Sequence, residues 1–124
     1  MPKRILIGIG KVEVFAALKE TPTAEKLLAA LPFKSKAETW GGEVYFQVPL
    51  SAALEADAKQ VVSPGSVCFW NQGNCLALPF GPTPIAEAKE CRLAAPCNIL
   101  GALEGDPTVL RHARSGDPVR VEAA

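Results

Sequence analysis

The chain of 124 residues is long enough for one domain with a buried core, and its thirteen basic side chains balance thirteen acidic ones. Hydrophobic residues make up 48% and charged residues 21%, which is ordinary globular usage and argues against disorder or a fibrous protein. The balanced charge disfavours nucleic acid as a partner, and no apolar run approaches the roughly 20 residues of a membrane-spanning helix. We therefore predict a single domain over residues 1–124, cytoplasmic, with no nucleic-acid or membrane partner.

The first third of the chain predicts a β-hairpin followed by a helix. Residues 4–9 and 11–18 are β-rich runs separated by Gly10, so the N-terminal segment is expected to be a strand and not a signal peptide. Thr21-Pro22 supplies a helix cap and a first-turn proline. Apolar residues then recur at helical spacing: Ala24, Leu27, Leu28 and Leu31. This narrow stripe predicts a helix that covers one end or side of a sheet and ends at Pro32.

Two more strands are predicted at residues 33–38 and 43–49, around the turn Trp40-Gly41-Gly42. The period of two in a strand divides the second of them into a core face and an opposite face: Val44, Phe46 and Val48 on the first, Tyr45 and Gln47 on the second. Residues 51–62 show no clear alternation and predict a loop with at most a helical turn.

A second hairpin is predicted in the stretch SVCFWNQGNCLALPF, residues 66–80. With Gln72-Gly73 as the turn, Trp70 pairs with Cys75. The more apolar face is assigned to the barrel interior: Val67, Phe69, Leu76, Leu78 and Phe80. The other face carries Cys68, Trp70, Cys75 and Ala77.

The remainder of the chain predicts an irregular connection at 85–96, a strand at 97–103, a short helix from Asp106-Pro107 that Gly116 stops, and a final strand at 117–122 with one solvated face. The total is about eight short strands and two short helices. Such a count predicts a mainly β fold, a closed or nearly closed eight-stranded barrel with one or two short capping helices.

The four cysteines are expected to be free, buried thiols. They are Cys68, Cys75, Cys91 and Cys97, and their spacing does not match a zinc site. We therefore predict no metal and no cofactor. A disulfide between Cys68 and Cys75, which are diagonal in the predicted hairpin, is in reach but not favoured. The only histidine, His112, lies in a separate element, so no thiol–base pair is apparent and the catalytic residues are unknown.

Several segments, in order and covering nearly the whole chain, resemble a family of small prokaryotic cyclophilin-like domains of uncharacterised function. The segments are Leu31-Pro32-Phe33, Thr39-Trp40-Gly41, Glu43-Val44-Tyr45-Phe46, Pro64-Gly65-Ser66-Val67, Phe69-Trp70, Leu76-Ala77-Leu78, Phe80-Gly81-Pro82-Thr83-Pro84 and Asn98-Ile99-Leu100-Gly101. The resemblance implies a closed eight-stranded barrel with capping helices, the fold shared with peptidyl-prolyl isomerases. It does not imply an activity, because a fold alone does not determine chemistry.

Isomerase activity is disfavoured by the positions of the arginines. Cyclophilins are known to polarise the prolyl amide with an arginine, and residues 33–49, where it would be expected, contain none. Arg92 could approach from a loop. Three interpretations follow: a non-catalytic binding module for a small molecule or short peptide, a peptidyl-prolyl isomerase, or a partner-dependent relative of cyclophilin-fold hydrolase subunits. The ligand's identity, any catalysis and the oligomeric state are left open.

The candidate ligand-binding residues are Trp40, Gly41, Tyr45, Trp70, Phe80 and Thr83. We expect them to meet around one partly apolar concavity, with Tyr45 and Thr83 as its hydrogen-bonding groups. The alternative is that both tryptophans pack over barrel ends and that the proline-rich turn at 80–84 only fixes a crossover. Glu38 and Glu43 flank the tryptophan turn and could form an acid/base pair, but carboxylates at strand ends are usually solvated.

Overall fold

A computed structural model of the protein describes residues 3–124. Within this range the strands are β1 (Lys3–Ile9), β2 (Val12–Leu18), β3 (Phe33–Thr39), β4 (Glu43–Gln47), β5 (Lys59–Val62), β6 (Ser66–Trp70), β7 (Cys75–Pro79), β8 (Cys91–Leu103) and β9 (Pro118–Ala123). One α-helix, α1 (Pro22–Ala30), follows β2, and a 3-10 helix (Pro107–His112) precedes β9. No helix in the described range is both long and apolar enough to cross a membrane.

Eight of the strands form a closed antiparallel ring. Hydrogen-bonded neighbours run in the order β2, β1, β9, β3, β4, β7, β6, β8, and β2 also pairs with β8, which joins the two ends of the sheet. The ninth strand, β5, lies outside the ring and pairs only with the first half of β8. The predicted mainly β barrel is therefore confirmed, with an additional strand beside it.

The ring closes where β8 passes unusually near β2. Gly101 of β8 lies opposite Leu18 in this pair. A Cβ atom at Gly101 would lie 2.0 Å from the carbonyl oxygen of Ala17, so only glycine allows the two backbones to approach this closely.

Side chains of alternate strand residues fill the barrel interior, as the period of two requires. The residues assigned to this face from the sequence are buried there: Val44, Phe46, Val48, Val67, Phe69, Leu76 and Leu78, with Phe80 partly buried against them. The hairpin register is also confirmed, since Trp70 pairs with Cys75. Within the turn, Asn74 has a positive φ of 51°.

The helix α1 begins and ends where the sequence predicts. The Thr21 hydroxyl accepts a hydrogen bond from the Ala24 amide at 3.1 Å, which satisfies one of the free donors of the first turn. Ala24 and Leu27 are buried in the same cluster as the barrel interior, so the helix covers part of the barrel. Its role as a capping helix is confirmed.

A fully buried amide connects this helix to the loop before β5. The side-chain nitrogen of Asn98, on β8, donates to the Thr23 hydroxyl at 2.9 Å and to the Ala53 carbonyl at 2.9 Å. Its oxygen accepts from the Glu55 amide at 2.7 Å. With these three bonds Asn98 holds residues 53–55 against the barrel.

Two strand predictions require correction. Residues 59–62 form the strand β5 and not a loop, and β8 begins at Cys91 and not at Cys97. Both errors have one cause, because these two segments pair mainly with each other and lie outside the barrel. Neither shows a clear alternation of apolar and polar residue types, so the sequence pattern could not reveal them. The 3-10 helix also ends earlier than predicted, at His112.

Candidate functional site

The outer face of β4, β7 and β6 is covered by a second, smaller apolar cluster. Tyr45 lies opposite Ala77 in the β4–β7 pair, and Trp70 lies opposite Cys75 in the β6–β7 pair. Because their neighbours in sequence point into the barrel, these side chains point outwards. The first half of β8 packs over them. The resulting cluster buries Cys68, Ala77, Leu93 and Cys97, with Tyr45, Val62, Trp70 and Ile99 partly buried against it.

A cavity of about 150 Å³ lies within this layer. Three aromatic side chains, Trp40, Tyr45 and Trp70, line it together with the carboxyl group of Glu43. The rest of its wall is small or aliphatic: Cys75, Ala77, Leu93, Ala94 and Cys97. An apolar cavity of this order of size, roughly 150 Å³, can hold a molecule as large as benzene.

Glu43, the first residue of β4, is a buried carboxyl group. Only 6% of this residue is exposed to solvent, and its Oε1 atom has no hydrogen-bond partner among residues 3–124. Burial disfavours the charged form and raises the pKa of Glu43 to about 7. The expectation that Glu43 would be solvated is therefore wrong. Glu38, in contrast, is exposed and accepts a hydrogen bond from the Ser115 hydroxyl at 2.6 Å.

Trp70 is the second residue of the cavity with an unsatisfied polar atom. Its indole Nε1 is buried and has no acceptor within the described part of the chain. The ring lies directly against Gly73 in the following turn, where a Cβ atom would be only 2.4 Å from Cζ3 of Trp70. Gly73 thus gives the indole the space that it needs to lie over the turn and form one wall of the cavity.

The thiols near the cavity are poor nucleophiles. All four cysteines are free and buried, and burial raises the pKa of Cys75 and, to about 12, that of Cys97. The Cys75 thiol donates a weak hydrogen bond to the Gly73 carbonyl, and the Cys97 thiol donates one to the Ala95 carbonyl, both at 3.3 Å. In residues 3–124 no group of three or more histidine, cysteine or acidic side chains is arranged to hold a metal ion.

The proline-rich loop at 80–84 packs against the tryptophan turn. The Gly42 amide donates to the Pro82 carbonyl at 2.8 Å, and the Phe80 amide donates to the Gly42 carbonyl at 2.7 Å. Thr83 is only 5% exposed, and its hydroxyl donates to the carbonyl of Arg92 at the start of β8. The loop therefore connects the tryptophan turn to the strand that covers the cavity.

The structure divides the six candidate ligand-binding residues into two groups. Trp40, Tyr45 and Trp70 line the cavity, whereas Gly41, Phe80 and Thr83 are not part of its wall. Gly41 occupies the turn with a φ of 58°, and Phe80 packs against the barrel interior. These three residues therefore belong to the turn and the loop beside the cavity and do not line it.

Sequence reasoning did not place Glu43 or the β8 residues Leu93, Ala94 and Cys97 in a site. One signal was present for Glu43, because alternation along β4 puts it on the same face as Tyr45. The sequence did not show that the first half of β8 packs over that face, because residues 91–96 were predicted to be an irregular connection. Arg92, considered above as an isomerase arginine, donates to the Glu90 carboxylate and does not line the cavity.

A shallow groove adjoins the cavity on the barrel surface. It shares Tyr45 and Cys75 with the cavity and extends over about 900 Å³ towards Lys34, Lys36 and Gln47. A group held in the cavity could therefore belong to a longer molecule that continues along this groove.

Comparison with known proteins agrees with the architecture. The solution structure of a hypothetical protein from Archaeoglobus fulgidus is similar over 99% of this chain and 95% of that one, with 33% sequence identity and a TM-score of 0.84. A search of curated proteins gives no significant match. A family model described as cyclophilin-like matches residues 3–122. Because that match spans nearly all of the barrel described above, the chain belongs to the cyclophilin-like family.

Proposed function

We propose that the protein is a non-catalytic binding module for a small molecule or for one side chain of a short peptide. Its site is the cavity lined by Trp40, Tyr45, Trp70 and Glu43. One observation carries this proposal: a carboxyl oxygen and an indole N–H, both buried and both on cavity-lining residues, have no hydrogen-bond partner in residues 3–124. An unsatisfied buried polar group costs about 1–3 kcal/mol, and a bound ligand can supply the missing partners.

The composition of the wall also favours binding. Ligand sites are mostly apolar and aromatic with a few polar groups that fix orientation, and the polar groups of this wall are those of Glu43, Tyr45 and the two tryptophans. The adjoining groove gives room for the remainder of a larger ligand. The neutral thiols of Cys75 and Cys97 and the engagement of Arg92 with Glu90 favour binding without chemistry.

Thermal stability in the presence of a metabolite and short-peptide panel tests the proposal. A ligand at 100 times its dissociation constant adds about 2.7 kcal/mol to the free energy of unfolding, which is readily measured. The blocking variant is Ala94→Phe, because Ala94 is exposed and lines the cavity, so a larger side chain at this edge obstructs the cavity without entering the core.

The matched control is Ala102→Phe, which changes another exposed alanine of the same strand that is not part of the cavity wall. We expect ligand stabilisation to disappear in Ala94→Phe and to persist in Ala102→Phe. Stabilisation that survives equally in both variants would place the binding site elsewhere and refute the proposal.

A further inference from the structure

We infer that the cavity takes a methylated ammonium group, held against the rings of Trp40, Tyr45 and Trp70 and beside the carboxyl group of Glu43. This inference rests on the proposed function and deepens it by naming the class of ligand. The shared chemistry is a trimethylammonium head, which either a free small molecule or a methylated lysine side chain can present.

The distribution of aromatic residues is the first argument. The chain has two tryptophans and one tyrosine, and all three line this one cavity. The faces of these rings are negative, so they attract a cation, and the attraction is stronger where water is excluded. Phe46 and Phe69, in contrast, are fully inside the barrel.

The carboxyl group is the second argument. Glu43 is nine-tenths buried with a free oxygen, and no lysine, arginine or histidine is among the residues that line the cavity. A buried carboxylate without a positive partner is unstable, and a cationic ligand supplies the opposite charge.

The nature of the wall selects among cations. A primary ammonium is strongly hydrated and needs acceptors for three N–H donors. In the cavity wall, side-chain acceptor oxygens occur only on Glu43 and Tyr45, and the remaining surface is mainly apolar and aromatic. A trimethylammonium group has no N–H donors to satisfy, and its methyl groups match aromatic walls. The indole N–H of Trp70 requires an acceptor, which a hydroxyl or carboxylate oxygen on the same ligand can provide.

Binding of such a cation is coupled to the ionisation of Glu43. With a pKa of about 7, roughly nine-tenths of this group is charged at pH 8 and roughly one-tenth at pH 6, so affinity is expected to fall about tenfold between them. The thiols that interact with Glu43 belong to Cys68, Cys75, Cys91 and Cys97 on β6, β7 and β8. Burial raises the pKa of each, so they remain neutral in this range. Tyr45, on β4, also lines the cavity.

Calorimetric titration with choline and with its neutral isostere 3,3-dimethylbutan-1-ol tests the charge directly. At pH 8 we expect choline to bind at least tenfold more tightly. Glu43→Gln is expected to remove this preference while the neutral isostere still binds, which also shows that the variant is folded. The matched control, Glu25→Gln, changes an exposed carboxylate on α1 and is expected to keep the preference.

A second titration compares the affinity of a trimethyllysine peptide with that of the same peptide without the methyl groups. Whichever of choline and the methylated peptide binds more tightly identifies the source of the trimethylammonium group. Equal or stronger binding of the neutral isostere, or choline affinity that does not change between pH 8 and pH 6, would overturn the cation inference. The first result leaves the proposed binding function standing because a neutral ligand then occupies the cavity, and the second leaves it standing because choline then binds without the charge of Glu43. Absence of choline binding, with other ligands still blocked by Ala94→Phe, overturns the inference in the same way.

Discussion

Replacement of Glu43 by glutamine is expected to change how stability depends on pH. In the folded protein the pKa of Glu43 is raised from 4.5 to about 7 by burial. The folded state therefore holds this proton more tightly than the unfolded state does. Stability from this group is complete below pH 4.5, falls as the pH rises from 4.5 to about 7, and is constant above that.

The size of the loss follows from the same two values. At 1.36 kcal/mol per pH unit, the interval from 4.5 to about 7 corresponds to about 3 kcal/mol of unfolding free energy lost by the native protein. Because the residue is only 6% exposed, little of this is screened by water. Glutamine has no proton to lose, so Glu43→Gln is expected to gain about 3 kcal/mol relative to the native protein between pH 4.5 and pH 8.

Urea unfolding of both proteins at several pH values from 4.5 to 8 provides the assay. The other carboxylates titrate in both proteins, so the difference between the two free energies isolates Glu43. Glu25→Gln serves as the control and is expected to track the native protein within about 0.5 kcal/mol. Parallel curves for the native protein and Glu43→Gln would show that Glu43 is not desolvated and would refute the reasoning.

Further predictions concern the packing and chemistry of the same region. Gly73→Ala is expected to lower the free energy of unfolding by about 1–3 kcal/mol and to alter the fluorescence of Trp70, because the new Cβ atom overlaps the indole ring. The control is Gly81→Ala, where no atom lies nearer than 3.8 Å to the new Cβ atom, so little effect on either measurement is expected. Asn98→Ala removes the three hydrogen bonds of a buried amide and is expected to lower the free energy of unfolding, measured in urea, by about 2–4 kcal/mol. A loss below about 1 kcal/mol would show that this amide does not hold residues 53–55 against the barrel. Ellman's reagent is expected to find four thiols after denaturation without reductant and to react slowly in the native state, and a count of two would indicate a disulfide. Isomerisation of an Xaa-Pro peptide is expected to keep its uncatalysed time of tens to hundreds of seconds, and an acceleration that is lost in Arg92→Ala would contradict this.

The barrel could be predicted from the sequence because its strands share one rule. Alternate residues point into a common core, so Val44 and Phe46, or Phe69 and Leu76, identify themselves by period and apolar character. The helix could also be predicted from the sequence, since Thr21 and Pro32 mark its two ends. The prediction failed for β5 and the first half of β8, which lie outside the ring, pair with each other and show no clear alternation of residue types.

The candidate site was predicted in part, for the same physical reason. Trp40, Tyr45 and Trp70 could be grouped because Trp40 lies in the turn before β4, and alternation places Tyr45 and Trp70 on the outer faces of β4 and β6, which flank β7. The role of Glu43 depended on a cover formed by residues 91–97, which are distant in sequence. Without that cover a carboxyl group beside a turn is expected to be solvated, and with it the same group becomes buried and has a raised pKa.

Glu43 distinguishes a binding site from a packing defect, because the two interpretations predict different combinations of effects. A residue kept for packing lowers stability when it is replaced. Glu43→Gln is expected instead to be more stable above pH 7 and to lose the preference for a cation, since one buried, unpaired carboxyl group causes both the instability and the attraction. Measurement of both quantities on this one variant, with Glu25→Gln beside it, therefore tests whether the cavity is maintained at a cost to the fold. Loss of stability in Glu43→Gln at pH 8 would favour packing, and a gain in stability together with weaker choline binding would favour function.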